Sequence, residues 1–230
     1  MQRNVFITGG TGYIGQVLIP RLLERGHVVR ALARQGSVRK LPSGCEAVTG
    51  NALDASSFAD RVHPSDTFVQ LVGVPHPSPS KAAEFQSIDL VSVRASVAAA
   101  AGGNIKHFIY VSVAQPAPVM KTYQSARAEA EKIIRASGLE ATILRPWYVL
   151  GPGHRWSYAL IPFYWLLERI PGARDSARRL GLVTRAQMVN ALIASVEAKS
   201  SGIRVLQVSS IKSLTSPTDG SIIELELAGC

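Results

Sequence analysis

The stretch FITGGTGYIG, residues 6 to 15, decides the fold. An apolar run meets glycines at positions 9, 12 and 15, and a helical pattern begins at once. The first glycine permits a tight turn, the second lets backbone come close to a diphosphate, and the third lets the helix pack against the strand. The helix N-terminus then offers N–H groups without partners and the positive end of its dipole to a phosphate. Gly9, Thr11, Gly12, Tyr13 and Ile14 are therefore expected to hold a dinucleotide cofactor.

Outward from this turn, short runs rich in Val, Ile and Phe alternate with helical patterns, which indicates a parallel sheet with crossover helices. Strands are expected at Asn4–Thr8, Val28–Leu32, Glu46–Thr49, Thr67–Val72, His107–Ser112, Ala141–Arg145 and Ile203–Val208. Most are continuous apolar runs, as strands covered on both faces require. Helices are expected at Tyr13–Arg25, Lys81–Ala101, Thr122–Ser137 and Thr184–Lys199. Pro20 falls inside the first and removes one of its hydrogen bonds. Gly138 stands just past the third, where glycine ends helices readily. Thr184 and Gln187 have the spacing of a capping box. Together these features give an α/β, Rossmann-type doubly wound parallel sheet with helices on both faces.

The end of the second strand selects the dinucleotide, because an acid there bonds the adenosine ribose and a base accommodates a 2′-phosphate. The strand reads VVRALAR, residues 28 to 34, with Ala33 where the acid would stand and Arg34 next. The expected cofactor is NADP(H), with NAD(H) left open. Arg30 alternates toward the same region, and Arg39 and Lys40 add general attraction.

Tyr123 and Arg127 are four residues apart in TYQSARAEAEKIIRASG, residues 122 to 138, and so share a helix face. A fixed cation beside a phenol favours the phenolate and suits the tyrosine to acid–base work. Tyr123 as an ordinary packing tyrosine is the competing reading.

With these features in view, the chain resembles the short-chain dehydrogenase/reductase superfamily, in its extended or atypical branch of NmrA-like and epimerase/dehydratase-like NAD(P)-binding proteins. The resemblance rests on TGGTGYIG (8–15), GNALD (50–54), FIYVSV (108–113), YQSARAEAE (123–131) and LRPWYVLGPG (144–153). It implies that Ser112 orients a substrate carbonyl or hydroxyl, that Tyr123 gives or takes the proton, and that Arg127 holds the nicotinamide ribose and lowers the tyrosine pKa. It also implies that Leu71, Gly73 and Val74 line the cofactor, that Asn51 and Ala52 lie by the adenine, and that Arg145-Pro146 leads into the substrate lobe. Two positions depart from the family pattern: Arg127 stands where lysine is usual, and Asn51 where aspartate is common. Arginine keeps the charge but is planar and never deprotonated, so the exchange is not conservative.

On this reading residues 1–150 form the NAD(P)-binding domain, and residues 151–230 form a small substrate lobe completing the same domain. The chain is expected to be an NAD(P)-dependent oxidoreductase acting on a small apolar carbonyl or alcohol, the alternative being a non-catalytic NAD(P)H-binding sensor or assembly factor. Seven aromatics between Trp147 and Trp165 (Trp147, Tyr148, Trp156, Tyr158, Phe163, Tyr164, Trp165) suit either an apolar pocket or ordinary packing of an inserted lobe. GVPHPSPS, residues 73 to 80, is a stiff loop carrying His76, and His154 and Arg155 follow a Gly-Pro-Gly turn.

The net charge of +9 favours anionic partners, of which a phosphorylated cofactor is the simplest. The basic run Arg174–Arg179 has no interleaved aromatics, so no nucleic acid is expected and the partner is a small molecule. Strand-like sequence from Asn4 leaves no room for an export signal, and no apolar run reaches membrane-spanning length. A cytoplasmic monomer or homodimer is expected, with peripheral membrane contact left open. Cys45 and Cys230 are too far apart for a metal or redox motif, and no metal is expected. Ile222–Leu227 alternates apolar and acidic residues as an edge strand would.

Overall fold

The structure, a computed structural model, describes residues 1–117, 119–151 and 180–214. Its main sheet has seven strands: β1 (Asn4–Thr8), β2 (Val28–Ala33), β3 (Glu46–Thr49), β4 (Thr67–Gln70), β5 (His107–Val111), β6 (Ala141–Arg145) and β9 (Ile203–Gln207). Their spatial order is β3-β2-β1-β4-β5-β6-β9, and every neighbouring pair is parallel. This is the doubly wound order, with the chain reversing direction across the sheet between β1 and β4. β9 lies beyond residue 150, so the C-terminal part supplies the sheet's seventh strand.

Two layers of core explain why the strands read as continuous apolar runs. Successive residues of a strand point to opposite faces, so Val5, Ile7, Val69, Ile109 and Leu144 enter one core and Phe6, Phe68, Phe108, Tyr110 and Ile143 the other. The first core is closed by α1 (Gly15–Glu24), α5 (Arg185–Glu197) and α6 (Val208–Ser213). The second is closed by α3 (Val91–Gly102) and α4 (Lys121–Ala136). Within it Phe58, Phe6, Phe68 and Phe108 form a row of rings with centroids 6.0, 5.2 and 5.2 Å apart.

Local signals in the sequence have local counterparts here. α1 runs through Pro20. The capping box of α5 is formed, with Thr184 Oγ1 accepting from the Gln187 amide at 3.1 Å and Gln187 Oε1 accepting from the Thr184 amide at 3.0 Å. Gly138 follows α4 with φ 75°.

Three departures have physical causes. β4 stops at Gln70 because the Gln70 side chain turns back and accepts from the Val72 amide at 2.8 Å, withdrawing that amide from the ladder. The helix expected over Lys81–Ala101 is divided into α2 (Ala82–Glu84), a π-helical turn (Phe85–Leu90) and α3. The π turn carries Asp89 inward to a buried cation, a partner no local propensity reveals. Two short strands, β7 (Tyr148–Leu150) and β8 (Leu182–Thr184), pair in parallel beside the main sheet and were not foreseen. Tyr148 opens β7, and Trp147 packs against the first core. His154, Arg155, the aromatics from Trp156 to Trp165, Arg174–Arg179 and Ile222–Leu227 lie outside the described residues.

His107, at the start of β5, is buried with its Nε2 2.9 Å from Thr142 Oγ1 and its Nδ1 without a hydrogen-bond partner. Burial, then the nearby Arg3, pushes its pKa down to about 4. The unfolded chain therefore takes up this proton before the folded one does. Stability due to His107 is present above about pH 6.5 and declines as the pH falls toward 4, by up to roughly 3 kcal/mol. Urea unfolding across that interval should show this decline flattened in His107→Gln; parallel curves for the two proteins would refute it.

Candidate functional site

The carboxyl ends of β1, β2, β3 and β4 open onto one cavity of about 360 Å³. In doubly wound sheets ligands bind at this edge, where the strand order reverses. Its wall includes Gly9, Thr11, Gly12, Arg34, Asn51, Ala52, Leu71 and Gly73, all expected from the sequence. Ser37, Val72 and Ile88 belong to it too and carried no motif.

The glycines divide their work as backbone geometry demands. Gly9 has φ 78°, and a Cβ there would stand 2.8 Å from the Leu71 carbonyl carbon, so only glycine lets β1 and β4 end side by side. A Cβ on Gly15 would lie 2.6 Å from Gly10 Cα and from the Gly9 carbonyl oxygen, which fixes how tightly α1 seats on the turn. A Cβ on Gly12 would meet one atom, the Gly9 oxygen at 3.1 Å, and would otherwise stand in the cavity. Backbone at Gly12 can thus be approached closely at the positive end of the α1 dipole, although the Gln16, Val17 and Leu18 amides already donate to the Gly12 and Ile14 carbonyls. These residues fit a dinucleotide diphosphate.

Tyr13, Ile14 and Val74 are not in the cavity wall. Ile14 packs against the first core. The Tyr13 ring lies 5.0 Å from the Arg185 guanidinium, and its hydroxyl occupies the space a side chain at Gly151 would need. Val74 is buried, and its amide donates to Asp89 Oδ1 at 2.7 Å.

At the carboxyl end of β2, Ala33 and Arg34 line the cavity, with Arg34 exposed and Ser37 one turn beyond. Arg30 does not join them. Its Nη2 bonds Glu46 Oε1 at 2.6 Å, and its Nη1 donates to the Arg61 and His63 carbonyls at 2.5 and 2.6 Å. The side-chain oxygen of Asn51 accepts from the Leu53 amide at 3.1 Å, shaping the turn beside the cavity.

Of the three residues expected to act on substrate, Arg127 stands by Tyr123 and reaches the carbonyl of the residue before Ser112; none of the three is in the cavity wall, and each has partners that sequence did not foretell. Arg127 is buried, and its Nη1 donates to Tyr110 Oη at 3.0 Å and to the Val111 carbonyl at 3.1 Å. Its Nη2 lies 3.1 Å from Asp89 Oδ2. The expectation that Arg127 holds a ribose meets a guanidinium whose two terminal nitrogens are already engaged by protein groups, its buried Nε alone having no hydrogen-bond partner. Its carbon is 5.1 Å from the centre of the Tyr123 ring, which also packs on Phe85 at 4.9 Å. Burial works to lower the Arg127 pKa, but Tyr110, Tyr123 and Asp89 raise it above the ordinary value. Burial raises Asp89 as well, against the pull of Arg127 and of the Val74 amide. Tyr110 is sealed in the core, and burial pushes its pKa up to about 12 despite Arg127. Tyr123, half-buried, is the accessible phenol of the two.

Ser112 follows β5 and donates to Glu131 Oε1 at 2.7 Å. Glu131, 1% exposed, also accepts from Gln115, from Arg135 and, through both carboxylate oxygens, from Arg145 at 2.9 and 2.6 Å. Burial alone would raise its pKa; hydrogen bonds from Arg145, Ser112 and Arg135 hold it below the usual carboxylate range. With its proton given to Glu131, Ser112 keeps only lone pairs to offer a further partner. Glu131 lies in the quoted YQSARAEAE stretch, four residues after Arg127, and that spacing was the available signal.

Among the described residues no group of three His, Cys, Asp or Glu side chains could hold a metal ion, and no helix is long and apolar enough to cross a membrane.

Strand order, glycine turn and cavity define a dinucleotide-binding α/β protein. A family model described as NAD(P)H-binding matches residues 9–158. The chain belongs to that family. It is 27% identical over 154 residues to a ceramide reductase of Caulobacter vibrioides, covering 65% of this chain and 47% of that protein. It is 28% identical over 217 residues to YhfK of Bacillus subtilis, named as an uncharacterized sugar epimerase, covering 89% and 93% respectively. Against a 4-hydroxy-2-methyl-3-oxo-4-farnesyl-3,4-dihydroquinoline-1-oxide ketoreductase of Stigmatella aurantiaca it is 23% identical, covering 64% and 51%. The chain thus spans about half the length of the first and third of these relatives. The enzyme WbmH of Bordetella bronchiseptica, solved in complex with NAD+, superposes with TM-score 0.67 at 19% identity over 93% of this chain and 80% of its own, a likeness of fold.

Replacing Glu131 by Ala leaves Arg145 and Ser112 without their shared acceptor, at an expected cost of about 3 kcal/mol in urea unfolding. A loss under about 1 kcal/mol would mean the cluster contributes no more than a surface ion pair.

Proposed function

We propose that the chain is an NAD(P)-dependent oxidoreductase, with NADP(H) preferred, that interconverts a small apolar carbonyl compound and its alcohol. The observation that carries this reading is the cavity itself, where a glycine turn and Arg34 share one wall with Gly73. Arg34 beside Ala33, with Ser37 adjacent, suits a 2′-phosphate better than a bare ribose. The names of the Caulobacter and Stigmatella relatives, a reductase and a ketoreductase, support carbonyl reduction.

When bound, the nicotinamide supplies the hydride to a carbonyl carbon, or takes it from an alcohol carbon. The other half of the reaction falls to the chain. In reduction Tyr123 gives its hydroxyl proton to the carbonyl oxygen as the C–H bond forms, and in oxidation the phenolate takes that proton back. Ser112, whose own proton is directed to Glu131, accepts a hydrogen bond from a substrate or tyrosine hydroxyl and so orients it.

A second reading has its own support. Arg127 is paired with Asp89, and the Ser112 proton is committed to Glu131. A site so tied suits a protein that binds NAD(P)H and reports its occupancy to a partner without turnover.

Following NADPH absorbance against aldehydes, ketones and quinones separates the two readings. Under the first, Tyr123→Phe lowers turnover by about 100-fold or more while NADPH affinity is kept. Full turnover in that variant removes Tyr123 from the chemistry, and binding without consumption of any substrate favours the sensor. For cofactor choice, Arg34→Ala should weaken NADPH about tenfold or more, from the loss of a charge-assisted hydrogen bond, and change NADH little. Equal losses for the two would contradict the 2′-phosphate assignment.

A further inference from the structure

We infer that Asp89 is a positioning residue of the cofactor site: with Arg127 it holds the loop after β4, whose Gly73 is part of the cavity wall, so that Arg127 acts on a bound dinucleotide through that wall. This rests on the cavity being the NAD(P) site.

The geometry is a continuous set of contacts. Asp89 is 2% exposed and uses its two oxygens on different parts of the structure. Oδ1 accepts from the Val74 amide at 2.7 Å, fixing the loop that leaves β4. Oδ2 faces Arg127 Nη2 at 3.1 Å. That same nitrogen fills the space beside Gly73, where a side chain would collide with it. The other end of the guanidinium is anchored on β5 through Tyr110 Oη and the Val111 carbonyl. One planar cation thus joins α4, β5 and the π turn under a stretch of cavity wall, and Ile88, the residue before Asp89, lines the same cavity.

Charge and shape make the two residues a unit. A buried carboxylate or guanidinium alone costs several kcal/mol, so each makes the other tolerable. An ammonium on a lysine stem is a compact point charge. It lacks the planar fork that reaches Asp89 with one nitrogen and β5 with the other. The arginine at 127 and the acid at 89 therefore belong together. The π-helical register that turns Asp89 inward is the kind of local departure that recurs at functional sites.

The test is NADPH titration by fluorescence on Asp89→Ala, Asp89→Asn, Arg127→Gln and the double variant Asp89→Asn/Arg127→Gln. Each is measured well below its own unfolding midpoint. Asp89→Ala is expected to weaken NADPH about tenfold, and Arg127→Gln similarly. The double variant, a neutral amide pair that keeps an acceptor for Val74, should recover to within about threefold of the parent. A purely structural role lowers the unfolding midpoint but leaves folded protein binding as before. Single variants that bind within about twofold of the parent therefore overturn the inference. Should Asp89→Ala not fold, Asp89→Asn, which keeps the Val74 acceptor and loses only charge, decides against Arg127→Gln and the double variant by the same criterion. Failure of the unaltered protein to bind NADPH or NADH overturns the cofactor reading, and this inference with it.

Discussion

The turn after β1 meets backbone on two sides, with no room for a Cβ on Gly15 against Gly9 and Gly10 or on Gly9 against Leu71 and Val72. Nearly everything else follows from that contact. It brings the helix N-terminus up to the carboxyl edge of the sheet, and it lets β4 end beside β1 so that Leu71 and Gly73 become the opposite wall. A methyl group at either glycine would press on main-chain atoms, which cannot rotate away as a side chain can. The anion site is therefore a property of how two elements pack, and its donors are fixed before any ligand arrives.

What was readable in the sequence was local or periodic. Strands showed because alternate residues feed two cores, so Phe6 and Ile7 are both apolar for different reasons. The Thr184 cap and Gly138 showed because each signal spans a few residues. The cavity's glycines, Arg34 and Asn51 stood at the ends of recognisable strands. Asp89, Tyr110 and Glu131 did not, because their partners are distant in sequence or lie on another element. Nothing near Asp89 says that a cation waits on α4, and a lone acid in an apolar helix reads as a solvated face. The π turn was hidden for the same reason, since the acid it buries is paired on another element. Arg30 failed in the opposite direction: its alternation was read correctly, but Glu46 in register on β3 captured it.

α4 carries the less legible half of the site on one face. Tyr123, Arg127 and Glu131 recur every four residues, and the rod sets their spacing against the ends of β5 and β6. Each charged member is answered by the opposite charge from elsewhere: Arg127 by Asp89 of the π turn, Glu131 by Arg145 of β6. The Asp89–Arg127 pair is buried and balanced beside Gly73, while Glu131 is shared by Arg145 and Arg135, and both sets of contacts tie the helix to its neighbours.

That arrangement bears on the chemistry more than the identity of residue 127 does. A lysine left free below a tyrosine would lend it a full positive charge. Here the guanidinium meets the Tyr123 ring while a carboxylate stands 3.1 Å from its far nitrogen, so the phenol faces a pair and not a bare cation. Ser112 is shifted in the same sense, since a hydroxyl that donates to Glu131 can receive a proton donor but does not polarise a carbonyl. Both changes move the site toward binding a hydroxyl-bearing molecule in a fixed pose. On the proposed reading, such an alcohol would lose its hydroxyl proton to the Tyr123 phenolate and its hydride to a bound oxidised nicotinamide.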